Sequence, residues 1–153
     1  MILYRLSKQQ FIHDLSGKGA ELNGGRWNSK GVQVLYMAES RALAAIEIAV
    51  HMPLGIVPSN YYLAIIELPE IERASMVAIE DLPPNWNRHP FLRITQSIGD
   101  GFIKENKHLL LQAPSATIKG DHNYLINPNH PDFKKIIITS TEPFEFDSRL
   151  FKK

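Results

Sequence analysis

Three polar residues stand where their surroundings invite chemistry: Arg26, Glu47 and Ser115. Arg26 follows directly on Gly24-Gly25. Bare glycine backbone lets an anion approach closely, and a guanidinium offers a planar fork that matches a pyrophosphate. The Rossmann and Walker arrangements run from a glycine loop into a helix, whose N-terminus holds the anion. Here the glycine-rich stretch leads into a strand-like segment, so an anion depends on a side-chain cation. A solvated arginine on an ordinary surface loop fits the same spacing.

Glu47 is the second oddity. It follows Leu43 by four residues, so in a helix both share one face with Ile46 and Val50. A carboxylate on an apolar face is costly unless it is paired or faces a cleft. A glutamate salt-bridged at the edge of the face is one reading, and a catalytic carboxylate lining a pocket is the other. Ser115 sits in Ala113-Pro114-Ser115-Ala116, with no histidine at a diagnostic spacing. A nucleophilic serine needs a base within hydrogen-bond reach, so a hydrogen-bonding role is preferred to a triad, and a serine satisfying its own turn stays open. The six histidines form no His-Glu-x-x-His set, so no metal site is expected. Trp27 and Tyr36 flank the arginine loop and can face a flat ring, although aromatic residues more often fill cores.

These residues need elements to hold them. Five of the nine glycines fall between Gly17 and Gly31, which reads as a loop. Strands are expected on either side, at Ile2–Leu6 and Val32–Met37. Ser40–His51 is the best helix, capped by Ser40 and ended by Met52-Pro53. Further strands are expected at Tyr61–Leu68, Ser75–Ile79, Leu109–Ala113, Ser115–Ile118, Tyr124–Ile126, Lys135–Thr139 and Phe144–Phe146. A second helix is expected within Pro90–Asn106, weakened by Gly99 and Gly101. Many strands with two helices indicate an α+β fold around a mixed or antiparallel sheet.

Composition sets the outer limits. The chain has 153 residues, 44% hydrophobic and 22% charged, which suits one domain spanning 1–153. A net charge of +1 argues against a binder of nucleic-acid backbone, which needs a basic excess. Cysteine is absent, so thiolate nucleophiles and cysteine-based zinc sites are excluded. No signal segment or membrane span is read, which makes a soluble, cytoplasmic protein the expectation.

Taken together, the motifs resemble the RES domain, named for its Arg, Glu and Ser. The resemblance rests on Gly24-Gly25-Arg26-Trp27-Asn28, Gly31, Val34-Leu35-Tyr36, Ala38-Glu39-Ser40 and Glu47. It continues through Gln96, Ile98-Gly99-Asp100, Pro114-Ser115-Ala116, Asn123-Tyr124-Leu125-Ile126-Asn127-Pro128 and His130-Pro131. These landmarks run in order from Arg5 to about Phe133. The resemblance implies an ADP-ribosyltransferase-like fold and a toxin of a bacterial toxin–antitoxin pair that consumes NAD+ by hydrolysis or phosphorolysis. NAD+ is then a substrate, and no cofactor is expected. An Xre-type helix-turn-helix antitoxin is the implied partner, with a homodimer within the complex as a further expectation. The same resemblance makes Arg26, Glu47 and Ser115 the catalytic set. It makes Tyr36, Asn127 and, less directly, Arg5 pocket neighbours, beside the backbone of Gly24 and Gly25 and the Trp27 ring. Two alternatives are a protein ADP-ribosyltransferase with the same pocket and an inactive antitoxin-binding module.

Overall fold

The computed structural model describes residues 1–70 and 74–152. Strand β1 (Ile2–Lys8) is followed by a short helix α1 (Lys18–Asn23), strand β2 (Leu35–Ala38) and helix α2 (Arg41–Ala49). Strands β3 (Tyr61–Glu67) and β4 (Ser75–Met76) precede helix α3 (Arg93–Glu105). Strands β5 (Leu110–Pro114), β6 (His122–Ile126) and β7 (Ile137–Phe144) complete one seven-stranded sheet. Its order is β4-β5-β6-β2-β1-β3-β7. Among the described residues only β4 and β5 pair in parallel, so the sheet is mixed and the α+β reading holds.

The sheet is buried on both faces, and strand alternation shows how. Along β6, Tyr124 and Ile126 join one apolar cluster with Leu3, Leu35, Ile66 and Leu110. Leu125, between them, points to the other face and packs with Trp27, Val34, Phe102 and Leu111. That second face carries a further cluster, in which Leu43 and Ala44 of α2 meet Leu6, Leu63, Phe146 and Phe151. Thus α2 and α3 cover neighbouring parts of one face, and a cleft lies where their two clusters adjoin. The Ser40 hydroxyl caps α2 by accepting the Leu43 N–H at 3.0 Å, a contact typically worth about 1 kcal/mol.

Three local expectations give way. The glycine-rich stretch is not all loop, because α1 lies inside it; Gly17 (φ +75°) precedes the helix and Gly24 (φ +69°) ends it. Glycines at both ends supply the left-handed backbone that enters and leaves a single short helix. Ser115–Ile118 is a turn rather than a strand, since the Ser115 hydroxyl takes up the N–H groups a ladder would use. The separate strands expected at Lys135–Thr139 and Phe144–Phe146 are one strand, β7, paired along all of β3 with a bulge at Ile65/Ile66. Pro143 is tolerated within it because β7 is a sheet edge.

Candidate active site

The arginine loop is built by hydrogen bonds to its own backbone. Asn28 is fully buried, and its amide nitrogen donates to the carbonyls of Ala20 (2.8 Å), Val32 (3.0 Å) and Ser29 (3.2 Å). Its Oδ1 accepts the Tyr36 hydroxyl at 2.8 Å, and that hydroxyl oxygen accepts the Trp27 N–H at 3.1 Å. From α3, Gln96 donates to the carbonyls of Gly25 and Asn28, each at 3.1 Å, and Asp100 accepts the Ser29 N–H at 2.9 Å. A Cβ on Gly25 would stand 2.9 Å from both Asn28 Oδ1 and the Tyr36 hydroxyl, so the close packing there requires glycine.

Two arginines, one from this frame and one from β1, line the neighbouring cavity. Arg26 donates from Nη1 to the carbonyls of Trp86 (2.9 Å) and Arg88 (3.0 Å). Burial lowers its pKa, and the nearby Glu47 carboxylate opposes that shift. Arg5, on β1, donates from Nη1 to the carbonyls of Phe11 (3.0 Å) and Ile12 (3.2 Å), and burial lowers its pKa as well. Burial raises the Tyr36 pKa, so its phenol stays protonated at neutral pH and can donate to Asn28.

Glu47 answers the question posed by its place on an apolar face. Its Oε1 accepts the Ser115 hydroxyl at 2.9 Å and the Asn123 side-chain N–H at 2.7 Å. Both bonds fall on one oxygen, which aims the carboxylate and leaves Oε2 without a hydrogen bond among the described residues. Ser115 in turn accepts the backbone N–H groups of Thr117 (3.1 Å) and Ile118 (3.0 Å). Its proton points to Glu47 and both lone pairs are occupied, so the hydroxyl's hydrogen-bonding capacity is fully used within the protein. Changing Ser115 to alanine removes that support and leaves two N–H groups without their acceptor. A loss of about 1–3 kcal/mol in chemical-denaturation stability is expected, and unchanged stability would refute this arrangement.

Arg5, Gly24, Gly25, Arg26, Trp27, Tyr36 and Glu47 all line one cavity of about 1090 Å³. Ser115 is not part of its wall; it is buried behind Glu47. Asn127 does not reach the cavity either. It is fully buried at the end of β6, where Nδ2 donates to Asn106 Oδ1 at 2.8 Å and Oδ1 accepts the Asn129 N–H at 2.9 Å. Those bonds tie the turn after β6 to the carboxyl-terminal cap of α3, which departs from the expected place beside the pocket. Asn123, which opens the Asn123–Pro128 stretch, is a support for Glu47 that its sequence position does not announce. A polar side chain among the apolar residues of a buried strand was the available signal.

The cleft therefore presents a fixed carboxylate and a cation to one space, with aromatic rings beside them. A positioned carboxylate stabilises positive charge developing on a bound molecule, and a guanidinium with free N–H groups takes up phosphate oxygens. Among the described residues no three histidine or carboxylate side chains converge to hold a metal. No described helix is long and apolar enough to cross a membrane.

Fold and site together define a class of small α+β proteins with one cleft on the helix-covered face of a mixed sheet. A solved structure with this fold is the M. tuberculosis MbcT–MbcA toxin–antitoxin complex, matched at a TM-score of 0.70 and 16% identity over 98% of this chain and 86% of that one. Within that class the chain belongs to the RES domain family, whose model matches residues 2–147. A protein from Sphingobium sp. called Prs ADP-ribosylating toxin is 39% identical, over 92% of this chain and 88% of its own. Proteins called Toxin Res are 37% identical in Pseudomonas putida, over 99% of this chain and 100% of theirs, and 35% identical in Photorhabdus laumondii, over 99% and 98%.

Proposed function

We propose that the protein is a toxin that cleaves the nicotinamide–ribose bond of NAD+ and is neutralised by an Xre-type helix-turn-helix antitoxin. The observation that carries this reading is the Glu47 carboxylate, held by Ser115 and Asn123 in the cavity that Arg26 also lines. Breaking the bond between C1′ and the nicotinamide nitrogen passes through an oxocarbenium-like state. Nicotinamide is bound as a pyridinium and leaves with the bonding electron pair as a neutral molecule, so no general acid is required. One carboxylate then suffices. Glu47 stabilises the positive ribose, and C1′ takes an oxygen from water, which loses a proton, or from phosphate. Arg26 holds the pyrophosphate, Gly24 and Gly25 allow its close approach, and Arg5, Trp27 and Tyr36 shape the wall around it.

A second reading has a specific observation behind it. The Sphingobium relative is named for ADP-ribosylating Prs, so a protein side chain is an alternative acceptor in the same pocket. Incubation with NAD+ labelled in its adenylate half separates the two. Free ADP-ribose, or its 1″-phosphate when phosphate is supplied, is expected; label on a protein band instead favours transfer. NAD+ left intact under every condition refutes both.

Arg26→Lys is expected to raise KM for NAD+ about tenfold or more with a smaller change in kcat. A point charge cannot hold the two loop carbonyls and a diphosphate in one plane. An unchanged KM removes Arg26 from anion binding.

A further inference from the structure

The segment 83–91, Pro83-Pro84-Asn85-Trp86-Asn87-Arg88-His89-Pro90-Phe91, has no part in the reading above, yet Arg26 grips it. The grip uses one guanidinium nitrogen, Nη1, on the carbonyls of Trp86 and Arg88. Neither Nε nor Nη2 carries a hydrogen bond among the described residues, so the same side chain can meet an anion while holding the segment. The segment is stiffened further. The Trp86 N–H donates to Pro83 O at 3.1 Å, the Arg88 N–H donates to Asn85 O at 3.0 Å, and the Trp86 ring lies 5.9 Å from Trp27. Between and beyond the gripped carbonyls, Asn87, His89 and Phe91 line the cavity. His89 and Phe91 meet edge to face, with ring centroids 6.4 Å apart at 73°.

A chain of contacts links this segment to the carboxylate. Ser115 and Asn123 hold Glu47, Glu47 lies within electrostatic reach of Arg26, and Arg26 joins the 86–91 backbone. A cavity of about 1090 Å³ has more room than the nicotinamide and its ribose need. The segment that Arg26 holds contributes two aromatic faces and one side-chain amide to the wall. Aromatic rings stack on a planar base, and an amide supplies the donor and acceptor that read its edge.

Taking the NAD+ reading as its premise, we propose that the segment 83–91, clasped by Arg26, is the subsite for the adenine end of the dinucleotide. Phe91 and His89 cover the base, Asn87 meets its edge, and Arg26 sits between the subsite and the reacting ribose. The enzyme then discriminates for a dinucleotide and against nicotinamide mononucleotide, which lacks the adenylate half.

Two readouts test this: equilibrium binding of AMP, and the ratio of kcat/KM for NAD+ to that for nicotinamide mononucleotide. Phe91→Ala is expected to weaken AMP binding about tenfold or more and to lower the ratio by a similar factor. Phe91→Tyr keeps a stacking ring and is expected to restore both. Asn87 is exposed, so Asn87→Ala carries the test if Phe91→Ala does not fold. AMP affinity and ratio that stay the same in Phe91→Ala and Asn87→Ala overturn the proposal, as does a wild type that shows no preference for NAD+ and no AMP binding. If the wild type binds AMP through Phe91 but releases no nicotinamide, the cleavage reading fails and the subsite stands.

Discussion

Glu47→Gln is expected to slow nicotinamide release from NAD+ by about 10²–10³-fold in kcat, with the fold intact. Glutamine keeps the volume and length of glutamate. Its carbonyl oxygen can take the place of Oε1 and accept from both Ser115 and Asn123. The reverse orientation would set an NH2 group against two donors, so the amide is fixed with its own N–H groups toward the open cleft. There it presents a donor with partial positive charge to a ribose that is itself becoming positive. The substitution therefore removes the favourable interaction and adds an unfavourable one, at the atom facing the reacting bond. Melting temperature should move by less than about 4 °C, because no buried group loses its partner. A purified Glu47→Gln protein that releases nicotinamide at the wild-type rate ends the case for Glu47 in the chemistry.

The charged residues of the cleft wall stand out in the sequence because they are out of place locally. Glu47 interrupts an apolar helical face, and Arg26 stands in a cluster of glycines; both anomalies resolve into walls of one cavity. The supports were harder to see because they act over long separations. Asn123 reaches Glu47 across 76 residues of sequence, and Gln96 reaches Gly25 across 71. Only the strand order, which sets β6 next to β2 and β5, brings such pairs together. Asn127 shows the opposite failure. The RES resemblance places it beside the pocket, but its amide joins the turn after β6 to the end of α3. The short-range elements with strong signals, the Ser40-capped helix and the strand from Tyr61, appear close to where they were expected. The carboxyl-terminal strand did not, because pairing with β3 extends it through Ser140, Glu142 and Pro143, which carry no strand signal of their own.

Gly99→Ala is expected to be strongly destabilising. In a helix, glycine to alanine ordinarily gains about 1 kcal/mol, and both glycines of α3 looked like local weaknesses for that reason. The two positions differ in what lies above them. A Cβ on Gly101 meets nothing within 4 Å, whereas a Cβ on Gly99 would stand 1.7 Å from the Trp27 carbonyl oxygen and 2.8 Å from its carbon. The obstacle is backbone, and that backbone is pinned by Gln96 and Asp100 from the same helix, so neither side can yield alone. Accommodating a methyl group means separating α3 from the arginine loop, which opens the cluster of Trp27, Phe102 and Leu125. The expected cost is about 3–5 kcal/mol, at the upper end for overpacking, or roughly 10 °C in melting temperature for a domain of this size. Gly101→Ala, two residues along, should raise the melting temperature by about 1–3 °C. The opposite signs separate a helix-propensity effect from a close approach. If both variants stabilise the protein, α3 does not press on the loop as described. Because the same loop presents Arg26, residual folded Gly99→Ala protein should also lose affinity for NAD+, while Gly101→Ala should bind it as the wild type does.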